Sequence, residues 1–362
     1  MAKRASGHVT LSHVARACEL SISTVSIVLS EAPLSRHVAE ATRQRIRAMA
    51  SRLGYHPDVH ARSLRRRRTQ TMGVLAYDLS DPFCIPVVHG IEEALQPAQY
   101  FALQVNAQGK RKLFDRYLRM ILERRAEGVI VIASWIFEEA DLLADIEKNH
   151  VPIVIVGRDL TARRIPSVLV DNKAGGVVAM QHLVSLGHRR IAIVRGPEEL
   201  FDSEPRWQGF RCAAAEAGID LDPRLVFQLP NRLDPRSSFE GGVQFAKEIV
   251  SSGISFTAVL AFDDLTALGM IRGLTEAGLR VPADCSVVGF DDILPAAVAT
   301  PGLTTIRQPL EEMGQLAAER LLATLNPSDS DKKRYPRLQM LAPQLVVRAS
   351  TGGPQQAGPI PE

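Results

Sequence analysis

The sequence predicts a small all-α helix-turn-helix head and a hinge helix, followed by an α/β body of two doubly wound parallel-sheet lobes. Three observations carry this expectation. Residues 1–68 hold 13 Lys/Arg against 4 Asp/Glu, a balance of +9, in a chain whose net charge is only +3. Apolar residues in that stretch recur at spacings of three and four. From Thr69 the pattern changes to short β-branched runs alternating with amphipathic stretches, twice over.

Thr10 can cap a first helix from about Leu11 to Cys18, with Leu11, Val14, Ala15 and Cys18 as its apolar stripe. Glu19-Leu20 is the turn, and Ser21 can cap a second helix from about Ile22 to Leu29. At 100° per residue, Val25, Val28 and Leu29 face inward, while Ile22, Ser23, Ser26 and Ile27 face out. Two isoleucines on the open side of a small helix suit a DNA major groove, where branched apolar groups meet thymine methyls. A third helix is expected from about Val38 to Leu53, ended by Gly54, with Arg43, Arg45, Arg47 and Arg52 as phosphate-directed charge. Pro57 and Asp58 then suit the start of a short helix that ends in Arg65 to Arg68.

In the body, strands are expected at Met72–Tyr77, Phe101–Val105, Gly128–Ala133, Val151–Val156 and Val168–Val170, with helices at Phe83–Pro97 and Leu113–Arg124. A second series has strands at Arg190–Val194, Ala258–Ala261 and Cys285–Gly289. Its helices are Ala174–Leu186, Arg206–Ala217, Gly241–Ser251 and Leu265–Ala277. Two such sheets imply a cleft, with ligands near the strand C-terminal ends.

Composition narrows the function classes. At 362 residues and 46% hydrophobic, the chain can build a head and a large two-lobed core. No apolar run is long enough to cross a bilayer, and the polar N-terminus carries no secretory signal, so a cytoplasmic protein without membrane contact is expected. Cys18, Cys84, Cys212 and Cys285 are scattered without metal-ligand spacing, so neither a metal nor a cofactor is expected. The expected divisions are a head at 1–56, a hinge at 57–69, a body at 70–350 and a disordered Gly/Pro/Gln-rich tail at 351–362.

The Val-Thr-Leu start, Ser21-Ile-Ser-Thr-Val-Ser26, Thr42-Arg43, Leu53-Gly-Tyr-His-Pro57 and Ala61-Arg-Ser-Leu64 together resemble the lactose-repressor (LacI/GalR) family of bacterial transcription regulators. The body adds landmarks in the same order. They are Asp78-Leu-Ser-Asp-Pro-Phe83, Val170-Asp-Asn172, Leu186-Gly-His-Arg-Arg-Ile191, Arg206-Trp-Gln-Gly-Phe210, Asp263-Asp-Leu-Thr-Ala-Leu-Gly269, Val287-Val-Gly-Phe-Asp-Asp292, Leu303-Thr-Thr-Ile-Arg-Gln-Pro309 and Leu345-Val-Val-Arg348.

The resemblance implies that Ser21, Ile22, Ser23, Ser26 and Ile27 face the major groove. Paired hinge helices would enter the minor groove with Ala61, Leu64 and Arg65, Leu64 acting as an apolar wedge. Thr10, Arg43 and Arg62 would hold the DNA backbone. The head departs from the family in four places: Ile27 stands where an arginine is usual and Ser30 where an asparagine is usual. The loop Glu31 to His37 is about three residues longer than in many members, and Ala39 replaces a usual cap.

For the body the resemblance implies a periplasmic-binding-protein-like fold whose chain crosses between lobes near Asp171, near Pro301 and near the polar Asn326 to Arg337 stretch. It also implies a small-molecule effector in the cleft. Arg206 matches a ligand-clamping arginine, and Asp291 a carboxylate that accepts from ligand hydroxyls or amines. Asp263 and Asp81 replace frequent asparagines, Arg158 follows Val156-Gly157, and Phe83 and Trp135 would form an apolar floor. An arginine fork with carboxylates suits polyols. A neutral sugar is therefore the first expectation and an amine-bearing ligand the second, with an anionic sugar acid less favoured. The expected function is an allosteric transcriptional regulator, read first as a repressor. It would act as a homodimer on a pseudo-palindromic operator, since no leucine heptad follows Val347. Alternatives are control by a protein or other non-sugar effector, and a sugar-binding transport protein. The chain has no Gly-rich phosphate loop, His-Glu-x-x-His or Gly-x-Ser-x-Gly motif, so no enzyme is expected. Asp263-Asp264 and Asp291-Asp292 are adjacent in sequence and should point apart.

Overall fold

The computed structural model of the chain describes residues 9–30, 33–55, 68–123, 126–133, 151–230, 235–326 and 335–354. The chain divides into two compact units, Met1–Thr69 and Gln70–Glu362.

The first unit holds helices α1 (Leu11–Ala17), α2 (Ile22–Leu29) and α3 (Glu40–Leu53). The Thr10 backbone N–H donates to His13 Nδ1 at 3.1 Å, which closes the start of α1. Ser21 Oγ accepts from the Thr24 N–H at 3.1 Å and caps α2. Helix α3 begins two residues later than Val38. Pro33–His37 forms a separate 3-10 turn, and Ala39 is extended at φ −53°, ψ 140°. Gly54 ends α3 at φ 66°, a conformation that costs glycine little. Val14, Val25, Val28 and Ile46 are fully buried together, each stabilising the unit by about 1.5–3 kcal/mol. The Arg45 guanidinium donates to the Cys18 carbonyl at 2.9 Å, satisfying the end of α1. That arginine therefore serves the fold, against its expected role as a free phosphate contact.

Among the described residues, the second unit has two six-stranded sheets. Lobe 1 has the order β11-β5-β4-β3-β1-β2. Its strands are β1 (Thr71–Ala76), β2 (Phe101–Asn106), β3 (Gly128–Ile132), β4 (Ile153–Val156), β5 (Ser167–Val170) and β11 (Leu338–Leu341), all parallel. Lobe 2 has the order β12-β10-β9-β8-β6-β7. It comprises β6 (Ile191–Arg195), β7 (Val226–Gln228), β8 (Ala258–Leu260), β9 (Ser286–Asp291), β10 (Thr304–Arg307) and β12 (Gln344–Val346). Among the described residues, only β12 runs antiparallel, against β10.

Both sheet faces are covered, as parallel sheets require. Lobe 1 carries α4 (Cys84–Leu95) and α5 (Arg111–Glu123). Lobe 2 carries α6 (Asn172–Ser185), α7 (Ser203–Glu216), α8 (Pro235–Ser251), α9 (Asp264–Glu276) and the short α10 (Leu294–Val298). Phe114, Leu118 and Ile121 of α5 fill one face of lobe 1. Val87 and Ile91 of α4 fill the other, with Leu310 and Met313 of α11 (Leu310–Leu325). In lobe 2, Met180 and Phe210 lie on one side of the sheet and Met270 and Leu274 on the other.

The crossings differ from expectation at two of three points. Asn172 opens lobe 2 directly after β5, as expected near Asp171. Strand β10 still belongs to lobe 2, so the return to lobe 1 falls at Gln308-Pro309, just before α11, and not at Pro301. Strand β11 belongs to lobe 1, so the last crossing lies between Leu341 and Gln344, not within 326–337. Ser350, the last residue of the expected body, is fully buried and donates to Val287 O at 2.6 Å. The start of the expected tail is packed as well, with the Gly352 carbonyl 2.8 Å from Nε2 of the buried His188. Residues 56–67, which include the expected hinge helix, lie outside the described residues, as do Trp135 and residues 355–362.

Candidate functional site

In the first unit, α2 presents Ser21, Ile22 and Ser23 to solvent, with Ile22 53% exposed, and Ile27 is half-buried. Ser26 departs from its expected place: it is 9% exposed and counts among the buried polar residues. On the helical wheel it sits at the flank of the outer face, 100° from Val25, where α2 leans on its neighbours. Thr10 is exposed, its hydroxyl 2.7 Å from Ser12 Oγ. Arg43 pairs with Glu40 one turn earlier, so its charge is partly balanced within α3. Among the expected hinge and backbone residues, Ala61, Arg62, Leu64 and Arg65 lie outside the described residues.

In the second unit, Arg206 is the centre of a cage built where strands end and helices begin. It projects from the first turn of α7 and is 3% exposed. Its Nε donates to Asn172 Oδ1 at 2.8 Å and one terminal nitrogen to the Phe262 carbonyl at 2.7 Å. The other terminal nitrogen lies 3.5 Å from Asp291 and 3.9 Å from Asp202. The guanidinium is stacked 3.7 Å from the Phe290 ring centroid and 4.7 Å from that of Phe262. Glycine makes this position possible: a Cβ on Gly176 of α6 would sit 2.4 Å from the Arg206 carbonyl, so α6 and α7 can approach closely only without it.

Asp291 ends β9 at φ 119°, a left-handed conformation that strains a non-glycine residue. Gln308, at the crossing to lobe 1, donates to its carboxylate at 2.5 Å. Burial raises the Asp291 carboxyl well above its ordinary range. Arg206 opposes the rise, and Asp264, Asp263 and Asp81 add to it. Asp263 caps α9 by accepting from the Thr266 N–H at 2.6 Å. Its neighbour Asp264 points elsewhere, fully buried between Thr305 Oγ1 at 2.5 Å and the Ile293 N–H at 2.9 Å. Asp292 likewise parts from Asp291 to pair with Arg307 and Arg348. Neither acidic pair therefore forms a joint site, as the strand and helix geometry predicts.

Lobe 1 contributes Asp81, half-buried, which accepts from the Phe83 N–H at 3.0 Å. Burial pushes its carboxyl up to about 6, with Asp263, Asp78 and Asp202 adding to the rise. Phe83 packs against the lobe-1 core beside Val87, so its ring serves the fold as well as any floor. Arg158 lies over the Phe201 ring at 5.9 Å. The structure thus brings Asp263, Asp291 and Arg206 to one edge of lobe 2, with Asp81 and Arg158 facing them from lobe 1. Sequence reasoning missed Asp202, Asn172, Phe262, Phe290 and Gln308. Asn172 and Phe290 stood inside quoted landmarks, but nothing local marked them as partners of Arg206.

Among the described residues no group of three or more His, Cys, Asp or Glu side chains is placed to hold a metal, and no helix is long and apolar enough to cross a membrane. Residues 10–58 match the family described as bacterial regulatory proteins, lacI family, and residues 180–351 match a periplasmic binding protein-like domain. The HTH-type transcriptional repressor PurR of Photobacterium profundum is 34% identical over 342 residues, covering 94% of this chain and 98% of that protein. Among solved structures, the lac repressor dimer bound to operator and the anti-inducer ONPF is similar at a TM-score of 0.80 and 27% identity, over 96% of this chain and 100% of that one. A CelR–cellobiose complex is similar at 0.68 and 29%, over 94% and 99%. With a reading head, two lobes and a likeness that runs nearly end to end, the chain belongs to the LacI family of bacterial DNA-binding transcriptional regulators.

Proposed function

We propose that the second unit senses a small polyhydroxy ligand, a sugar first, and that its occupancy changes how well the head and hinge hold a pseudo-palindromic operator. The Arg206 cage carries this reading. A buried guanidinium fixes Asp291 and Asn172 at the strand ends, where a polyol would find acceptors already oriented. Cellobiose in one similar structure and an anti-inducer in another support a ligand between the lobes. Exposed Ser21, Ile22 and Ser23 and half-buried Ile27 would read base edges, while Thr10, Arg43 and Arg62 hold phosphates and Ala61, Leu64 and Arg65 serve the minor groove. Pairing of two copies is supported by large apolar residues left open on each lobe: Ile85 and Phe101 at 64% and 68% exposed, Leu294 and Val298 at 76% and 71%.

One observation favours a second ligand class. Arg206 is already engaged by Asn172, the Phe262 carbonyl and Asp291, while the carboxyl groups of Asp81, Asp202, Asp263 and Asp291 gather around it. The positive charge of an amine-bearing ligand would favour the ionised form of those carboxyls. A thermal-shift screen of neutral and amino sugars tests both readings. A shift with a neutral sugar supports the first and a shift with amino sugars alone the second. No shift with either class points to a protein effector.

A further inference from the structure

The loop from Gly196 to Asp202 leaves lobe 2 after β6 yet touches both lobes. Leu200 packs against the lobe-2 cluster of Val259, Ala261 and Phe262, and equally against the lobe-1 cluster of Leu75, Tyr77 and Phe114. The next residue, Phe201, lies under the lobe-1 Arg158 guanidinium. Glu199 acts on the lobe-1 Tyr77, whose phenol burial, Asp78 and Glu199 together push up to about 12. Asp202 then returns to the cage, 3.9 Å from Arg206 and accepting from Asn172 Nδ2 at 3.3 Å.

The loop is held by its own hydrogen bonds. Leu200 N donates to Pro197 O at 3.1 Å, Ser203 N to Leu200 O at 3.2 Å, and Ser203 Oγ to Gly196 O at 2.7 Å. At its base, a Cβ on Gly196 would sit 2.3 Å from the Phe262 ring, so loop and cage share one wall. A displacement at Asp202 is therefore carried two residues along to Leu200 with little slack.

We propose that this loop is the latch that sets the angle between the lobes, with Leu200 as the wedge in lobe 1 and Asp202 as the link to the Arg206 cage. The three chain crossings permit relative motion of the lobes; the apolar wedge resists it. A ligand that binds the latched and unlatched arrangements unequally shifts the population between them. The ligand step rests on the sensor reading above, whereas the latch contact itself needs no ligand.

The test is hydrogen–deuterium exchange by mass spectrometry on the full chain, without DNA or ligand, for wild type, Leu200→Asp and Leu200→Met. Leu200→Asp should speed exchange by about tenfold or more both in residues 196–202 and in the lobe-1 segments around Tyr77 and Arg158, as loss of one buried apolar contact implies. Leu200→Met should restore wild-type rates. If Leu200→Asp does not fold, Leu200→Ala is read by the same rule. Faster exchange confined to lobe 2 would make Leu200 an ordinary core residue and overturn the proposal, as would wild-type rates throughout. Because no DNA enters the measurement, failure of the latch is separable from failure of the regulator reading.

Discussion

Replacing Arg206 with alanine removes the charge that organises one end of lobe 2. The guanidinium makes hydrogen bonds at 2.8 and 2.7 Å and lies 3.5 Å from a buried carboxylate, between two phenylalanine rings. Breaking a buried ion pair from one side costs about 3–5 kcal/mol, because the remaining charge is left without its partner. Losing the ring contacts adds up to about 2 kcal/mol. These terms overlap, so the net loss expected for lobe 2 is about 4–5 kcal/mol. Asp291→Asn in the Arg206→Ala background should cost less than it does alone, since it removes the stranded carboxylate, with a coupling of about 1–3 kcal/mol. Urea unfolding followed by Trp207 fluorescence, in a Trp135→Phe background, reads this directly because Trp207 is the next residue of α7. If Arg206→Ala shifted the lobe-2 transition by less than about 1 kcal/mol, or if the two substitutions were additive, the cage would not hold the lobe as described. The same arithmetic means that Arg206→Ala is a poor probe of ligand contact alone. Arg206→Lys is the milder variant, keeping charge while losing the fork.

Further expectations follow from other residues. Asp81 has a folded value of about 6 against an ordinary 3.8, so its favourable contribution is complete below 3.8 and is lost as pH rises through 6. Asp81→Asn should accordingly lessen the fall in urea midpoint that wild type shows between pH 4 and 7, to which the raised carboxyls of Asp202, Asp264 and Asp291 also contribute; an unchanged profile would count against the burial of that carboxyl. Gly176→Ala drives a methyl against the Arg206 backbone and should lower the melting temperature of the body by several degrees, measured by calorimetry, whereas a neutral effect would show that α6 and α7 can part freely. Arg45→Ala frees the Cys18 carbonyl and should destabilise the head by about 1–2 kcal/mol without changing the slope of DNA affinity against salt; a reduced slope would return Arg45 to the phosphates. Leu64→Ala should weaken specific binding while sparing salt-sensitive nonspecific binding in an anisotropy assay, and equal loss of both would remove it from the minor groove.

What was legible in the sequence was mostly local. Ser21, the Val25/Val28 spacing and Gly54 mark α2 and the end of α3 because caps and periodicity act within one turn. Strands β1 to β6, β8 and β9 stand out as short apolar runs, whereas β7, β10, β11 and β12 were not expected as strands. Long-range pairing was harder to read. Leu303 to Arg307 reads Leu-Thr-Thr-Ile-Arg, which would suit either lobe, and only its pairing with β9 and β12 places it in lobe 2. Strands β11 and β12 are three or four residues each and lie on different sheets, so no local pattern could fix the last crossing. In the site, Arg206 and Asp291 were named from the resemblance. Asp202 and Asn172 were not, because each stands among other polar residues at a helix start and nothing local points to a partner 30 residues away. Ser26 was misplaced because a small hydroxyl fits the flank of a helix as readily as its open face.

The proposed coupling joins a basic head that grips duplex DNA to a ligand-sensing body. Its most direct test is selection of random duplex oligonucleotides by the full-length protein at low ionic strength, with and without a panel of neutral and amino sugars. The expected outcome is enrichment of a two-half-site, near-palindromic sequence whose recovery changes with at least one sugar. No enrichment of any duplex under those conditions would contradict it.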